Sequence, residues 1–428
     1  MQVRSERRRK IVCSLANAKI PETGAQAQSR VSKRNTKPKL LTLFLAGDVM
    51  TGRGIDQILA HSSAPQLFEP IVRSALEYVA LAEAVAGPIP RRAAFDYVWG
   101  DALVELERRH VSARIINLET AVTTSDDASP GKGIHYRMHP DNVACLAAAH
   151  IDCCTLANNH VLDWGPAGLE ETLSVLHRAH ISTAGAGYVA KEAYVPATLH
   201  PPGGGRIQVF AFGMPSSGVP AGWQARRSRP GVNWLEDLSQ RSAQAVAAQI
   251  SAHARPGDLV IASLHWGSNW GYEISDEERR FAHRLIDEAG VGLLHGHSSH
   301  HAKAIEVYRG KLILYGCGDL LNDYEGIRGY ESFRGDLSLM YFATLEAESG
   351  ALVGLSMVPM QIRGFRIQRA PAAAVEWLAW VLERECSKLG THIARQADGT
   401  LELLEPAGYR DALTGDLGGP SRKPSLMG

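Results

Sequence analysis

Seven residues able to bind a metal ion or move a proton lie just beyond short apolar runs: Asp48, Glu119, Asn159, His160, His265, His297 and His300. A mixture of carboxylate, amide and imidazole suits borderline divalent ions such as Mn, Fe or Zn. A carboxylate between two such ions lets one activate a water while both steady an oxyanion. Taken singly, each residue also has a plainer reading. Asp48 after Gly47 caps a turn, Asn117 and Asn158 satisfy loop backbone groups, Glu119 is solvated, and His265 packs beside Trp266. His301 reads as a neighbour of His300 and no more. The recurrence of such clusters at the ends of apolar runs is what points to a shared site.

Those runs must be strands that bring their polar ends together. Residues 40–46 are almost continuously apolar and stop at Gly47-Asp48, as a strand covered on both faces would. Residues 114–116 run into Asn117-Leu118-Glu119, and residues 151–156 into Asn158-Asn159-His160. Residues 259–264 run into His265-Trp266-Gly267, and residues 291–294 into His295-Gly296-His297. Helical patterns lie between them. Leu169, Leu173 and Leu176 share a face after Gly165-Pro166, and Ser275 with Glu278 forms a capping box before Phe281, Ala282, Leu285, Ile286 and Ala289. This alternation predicts an α/β architecture with helices on the sheet faces. In open α/β sheets the carboxyl ends of strands meet in one crevice, so residues distant in sequence can converge.

The later runs 311–315, 337–345 and 352–360 lack long helical spacers and predict antiparallel strands that form or extend a second sheet. A helix is expected from Pro371 through Val375, Leu378, Val381 and Leu382 to a stop at Gly390, with a loosely packed tail from about residue 391. The Ala-rich stretch 75–94 reads as one helix with a Gly-Pro break.

The chain has 428 residues, 45% hydrophobic and 21% charged, which excludes a largely disordered chain, a collagen or a coiled coil. Forty-five basic side chains balance 45 acidic ones, but unevenly. Residues 1–39 hold eleven Lys/Arg against Glu6 and Glu22, leaving residues 40–428 at −9. The segment 1–39 is expected to be a disordered basic leader or to follow from an upstream start codon. Its apolar stretch 11–16 is short for a signal peptide, so a cytoplasmic location is favoured over export. No apolar run reaches membrane-spanning length. Six cysteines without CxxC support neither a disulfide framework nor a zinc ribbon. The negative body argues against nucleic-acid binding.

GDVMTGRG (47–54), NLE (117–119), NNHVLDWG (158–165), HWGSNWGYE (265–273) and GHSSHHAKAIEVYRGKLILYGCGDLLNDY (296–324) together resemble the bacterial capsule-synthesis CapA family, associated with poly-γ-glutamate and similar to calcineurin-like metallophosphoesterases. The likeness runs from about Leu41 to Met360. It implies a four-layer α/β/β/α sandwich of the metallo-dependent phosphatase type, occupying residues 40–365 and followed by a helical extension and tail over 366–428. It also implies a ligand set of Asp48, Glu119 as bridging carboxylate, Asn159, His265, His297 and His300. His160 matches the histidine that protonates a leaving group, with Asp48 as its catalytic companion. Two departures stand out: Met50 occupies a histidine position, and Ser298-Ser299 separate a closing pair that is normally His-x-His. Thioether sulfur is a poor ligand for hard or borderline ions, so one or two ions, or none, are compatible with this set.

The function implied is a metal-dependent hydrolase or transferase acting on a peptide-like polyanion or a phosphoester. Arg53, Arg137, Lys303 and Trp266 are the expected substrate-binding residues, Arg offering bidentate contacts. Asp319 and Asp323 are candidate partners of histidine ligands. The alternatives are a non-hydrolytic binding component of polymer synthesis, and a metal-independent isomerase or epimerase pairing His160 with Asp48 or His297.

Overall fold

The computed structural model describes residues 39–404. The expected basic leader, apart from Lys39, and residues 405–428 lie outside them. The first half supplies strands β1 (Leu40–Val49), β2 (Ala113–Leu118), β3 (Cys153–Thr155), β4 (Ser182–Ala184), β5 (Ala197–Leu199) and β6 (Arg206–Gly213). Then come β7 (Asp258–His265), β8 (Leu293–His297), β9 (Ile305–Tyr308), β10 (Lys311–Leu314) and β11 (Asp319–Leu321). The last are β12 (Leu337–Glu346), β13 (Leu352–Ile362), β14 (Ile367–Arg369), β15 (His392–Arg395) and β16 (Leu401–Leu404). The larger sheet has the order β15-β16-β13-β12-β1-β2-β3-β4, with β11 beside the end of β1 and β14 beside β13. The smaller has the order β9-β10-β8-β7-β6-β5. Around β1 and β7 the sheets are parallel on the side that carries the polar strand ends: β1 with β2, β2 with β3, β6 with β7, and β7 with β8.

Alternation explains how the smaller sheet is covered. Ile207, Val209, Ile261 and Leu293 join the core shared with Leu43, Phe44, Ile115 and Cys153 of the larger sheet. Their neighbours Phe210, Phe212, Val260, Ala262 and Leu294 point the other way, into a second cluster. That cluster is closed by α1 (Gln240–Ser251) and α2 (Asp276–Ala289) through Val246, Ile250, Phe281 and Leu285. The expected capping box, Ser275 with Glu278, opens α2. A strand buried on both faces must be apolar on both, which is why these runs read as continuous.

Several sequence expectations needed correction. Strands β12 and β13 pair with each other, and β12 pairs with β1, extending the larger sheet, while 311–314 lies in the smaller one. The long apolar β1 offers ten residues of edge, and β12 matches it residue by residue from Leu40 to Leu45. Within the loose tail expected from about residue 391, the described residues form a hairpin, β15–β16, whose second strand pairs with β13. Its alternation is only four residues long on each side, but Ile393 and Leu401 are buried and Gly399 takes the positive φ of the turn. The described cysteines are free and buried. Among the described residues no helix is long and apolar enough to cross a membrane.

Candidate metal centre

A bulge at the end of β1 sets the geometry. The register with β2 shifts between Ala46 and Asp48, and a Cβ at Gly47 would run into the Gly318 carbonyl oxygen. Only glycine lets the segment before β11 approach this closely. The Asp48 N–H then donates to Gly318 O at 3.1 Å, and Asp48 stands in register with Asp319. The Asp48 carboxylate accepts from Asn117 Nδ2 at 2.7 Å and from the Ser298 N–H at 3.1 Å. Ser298 has φ 101°, a strained conformation for a residue with a side chain, held where its amide meets the carboxylate.

Strands β7 and β8 contribute four side chains on one face, because Ser263 pairs in register with His295 and His265 with His297. Their hydrogen bonds fix a tautomer. His295 Nε2 lies 2.9 Å from Ala46 O, which can only accept, so that nitrogen carries the proton. Burial keeps the ring neutral, lowering its pKa to about 4, so Nδ1 is bare and accepts the Ser263 hydroxyl at 3.1 Å. The Ser263 oxygen accepts in turn from His297 Nε2 at 2.8 Å. His297, also held neutral by burial, is left with a bare Nδ1.

That lone pair is aimed into the cluster. His297 Nδ1 lies 2.8 Å from His265 Nδ1 and 3.7 Å from Asp48 Oδ1. The other nitrogen of His265 lies 2.9 Å from Asn159 Oδ1 and 3.7 Å from Glu119 Oε1. Burial holds His265 neutral as well, and a neutral ring has one proton for two facing acceptors, His297 Nδ1 and Asn159 Oδ1. The conflict is relieved by a cation or by turning the Asn159 amide over. Asp48, His265 and His297 offer ligand atoms within 4.8 Å of one another, a donor set that fits a borderline divalent ion.

A second group shares Asp48. His300 and Asp319 complete it, again within 4.8 Å. His300 Nδ1 lies 3.0 Å from Asp319 Oδ1, while Asp319 Oδ2 accepts from Asn322 at 2.8 Å. Asp48 therefore belongs to both groups, a place the resemblance gave to Glu119. Burial, then the neighbouring Asp319, pushes the Asp48 carboxyl up to about 7. Glu119 is also raised, by burial and then by Asp48.

Beside these groups stands a dyad. His160 Nδ1 donates to Asp163 Oδ2 at 2.6 Å, and Lys132 Nζ pairs with the other Asp163 oxygen and with Asn159 O. His160 Nε2 faces Glu119 Oε1 at 3.8 Å. Burial lowers His160 to about 4 against the pull of Asp163. Asn158 ties the turn together, bonding Leu118 O, Asn117 Oδ1 and the amides of His160 and Val161. Asp163 and Lys132 were not among the sequence candidates. The His160-x-x-Asp163 spacing was the available signal, whereas Lys132 comes from a loop with none.

The four expected substrate residues are engaged elsewhere. Arg53 is buried, bonded to Asp323 at 3.1 and 2.5 Å and to Glu69 at 3.0 Å. Asp323 thus serves Arg53 and no histidine ligand, while Asp319 does meet His300. Arg137 bonds Ser125 O and Asp126, each at 2.8 Å, and lies over Trp164. Trp266 is core, stacked on Tyr315. Lys303 is buried, its Nζ 3.4 Å from Glu273 O. A cavity of about 340 Å³ lies instead on the side of Trp270, Asn322, Tyr324, Tyr330, Arg334 and Arg363. It adjoins the second group, since Asn322 donates to Asp319 and the Trp270 ring lies 5.2 Å from that of His300.

The family profile "Bacterial capsule synthesis protein PGA_cap" matches residues 42–324. The chain belongs to this family. It is 47% identical over 371 residues to a Mycobacterium tuberculosis protein named "Probable polyglutamine synthesis accessory protein", covering 86% of this chain and 97% of that one. It is 25% identical to "PGA biosynthesis protein CapA" of Bacillus subtilis over 68% of this chain and 66% of the relative. "Capsule biosynthesis protein CapA" of Bacillus anthracis is likewise 25% identical, over 68% and 62%. The PGA_cap match runs from β1 to Tyr324, so it takes in both His/Asp groups and the His160–Asp163 dyad.

Proposed function

We propose that the chain is a divalent-metal-dependent hydrolase or transferase acting on a peptide-like polyanion or a phosphoester in capsule or poly-γ-glutamate metabolism. The pair of His/Asp groups joined at Asp48 carries this reading. The names of the relatives supply the polymer. Two sheets sharing one core, with α1 and α2 outside the smaller, support a four-layer α/β/β/α sandwich of the metallo-dependent phosphatase type.

On this reading Asp48, Glu119, Asn159, His265 and His297 hold one Mn, Fe or Zn ion, and Asp48 with His300 anchors a second. When bound, such ions polarise a phosphoryl or carbonyl oxygen and acidify a water. The chain's own residues do the rest. His160 starts neutral, with its Nδ1–H hydrogen-bonded to Asp163, so Nε2 can take a proton from the attacking group and pass it to the leaving one. The cavity beside Trp270 and Tyr324 gives a substrate room next to the centre.

The test is elemental analysis of the full chain after incubation with Mn²⁺ and Zn²⁺ and desalting, beside His265→Ala. Retained metal that the variant loses supports the reading, and metal-free protein from both sinks it. Met50 favours a second reading, a non-hydrolytic binding component of polymer synthesis. Its sulfur is buried and accepts the Tyr324 hydroxyl at 3.7 Å. Polyglutamate binding by metal-free protein would select that role.

A further inference from the structure

Asp319 stands out among the buried acidic groups. Strand β11 runs parallel to β1 with Asp48 in register with Asp319, so two carboxylates lie side by side on adjacent strands. Both are essentially inaccessible, at 0% and 1%, and Glu119, at 2%, is their neighbour. Among the described residues no lysine or arginine is ion-paired with any of the three. Asp48 and Asp319 meet His297 and His300, the amides of Asn117 and Asn322, and the Ser298 N–H, with His160 and His265 beside Glu119. Neighbouring Arg53 is already committed to Asp323 and Glu69. Three buried carboxylates crowd together with only imidazoles, amides and one another as side-chain neighbours, a repulsion that a bound cation relieves, and buried charges are paired or bind metal.

The spacing fits ligation. Two ligands at right angles on one ion, each about 2.1 Å from it, lie about 3.0 Å apart. His300 Nδ1 and Asp319 Oδ1 are separated by 3.0 Å. The same distance serves a hydrogen bond in the metal-free chain, so the geometry is already set for either state. Asn322, bonded to the second Asp319 oxygen and to Gly335 O, fixes the carboxylate's orientation, as partners of ligating carboxylates do.

We propose that Asp319 is a direct ligand beside Asp48 and His300, so that the centre takes two unlike ions. The position at His265 and His297 offers two imidazole nitrogens and suits Zn²⁺. The position at Asp48, Asp319 and His300 is rich in oxygen and suits Mn²⁺. This rests on the metal-dependent reading above. Asp319 takes up the coordination that the Met50 thioether, turned to Tyr324, does not supply.

The full chain is stripped with chelator, loaded with one equivalent of Zn²⁺ and titrated with Mn²⁺. Free Mn²⁺ is followed by electron paramagnetic resonance. Wild type takes up a second equivalent as Mn²⁺. Asp319→Asn retains Zn²⁺ and binds Mn²⁺ at least about 100-fold more weakly, and Met50→His in that background recovers part of the loss. Retained Zn²⁺ shows that the variant is folded. Should it lose both ions, Asp319→Glu decides, since it keeps a carboxylate and must keep Zn²⁺ while weakening Mn²⁺. Unchanged Mn²⁺ binding in Asp319→Asn, or in Asp319→Glu when that variant decides, overturns the proposal and leaves the metal-dependent reading standing. A wild type that takes neither ion overturns both.

Discussion

The tautomer chain from Ala46 to His297 makes a sharp prediction for Ser263→Ala. The Ser263 hydroxyl donates to His295 and accepts from His297, and among the described residues nothing else bonds His297 Nε2. Its removal leaves two buried imidazole positions without partners, each costing about 1–3 kcal/mol. One can be recovered by ring reorientation, so the expected loss of stability is about 1–3 kcal/mol. The functional consequence is separate. With no acceptor at Nε2, nothing holds the proton there, and protonation at Nδ1 competes with any cation. Loss of a partner that orients a metal-binding histidine typically weakens affinity 10–100-fold, or about 1.4–2.8 kcal/mol. The assay is chelator competition for Zn²⁺ at pH 7, beside denaturant unfolding of the metal-free protein. Weaker Zn²⁺ binding together with lower stability is expected. Lower stability with Zn²⁺ affinity unchanged within threefold would refute the argument, because the chain would then only pack the two sheets.

Arg53→Met strands Asp323 and Glu69 in the interior, so it should cost about 3–5 kcal/mol in urea unfolding. A substrate-binding role would instead leave stability untouched, and a normal urea midpoint decides for it. Gly47→Ala forces Gly318 away from β1, and the expected outcome is loss of the bound ion in elemental analysis along with reduced stability. Asp163 would be raised by burial alone, but His160 and Lys132 hold it below the usual carboxylate range. Its stabilisation is therefore full above the unfolded value of about 3.9 and disappears as pH falls through the lower folded value. Asp163→Asn should be clearly less stable than wild type at pH 7, with the gap narrowing toward pH 3, and a gap independent of pH would remove the charge argument.

What the sequence disclosed depended on how each group advertises itself. Strands β1, β2, β3, β7 and β8 were legible because burial on both faces demands continuous apolar runs that break at polar residues. Asp48, Asn159, His265 and His297 are the residues at those breaks, and the folded strands bring their side chains together. The ion pairing of Arg53 was not legible, because a cation next to a site motif looks identical whether it meets a substrate or a buried Asp323, 270 residues away in sequence. The place of β12 and β13 was missed because pairing partners in a sheet are set by edges and register, and neither has a local signature. Ser263 and His295 were hidden in strand interiors. Their signal was period-two placement, Ser263-x-His265 opposite His295-x-His297, which becomes meaningful only once β7 and β8 are known to be in register.

Asp48 shows why the two groups cannot be treated as independent. Its backbone is fixed by the Gly318 carbonyl, one oxygen by Asn117, and the other by the strained Ser298 amide that follows His297. One residue, through its backbone and its carboxylate, thus ties β1, β2 and β11 of the larger sheet to the end of β8 of the smaller. Any relative movement of the sheets shifts Asp48 against His297, and with it the spacing within both groups. The conformation of Ser298 costs of order 1–3 kcal/mol, a strain the surrounding structure must overcome. Such a cost persists when it aims a group, and here it aims an N–H at the carboxylate both groups share. A site assembled from two sheets through one residue is therefore sensitive to packing far from it, and core substitutions between the sheets belong among its functional variants.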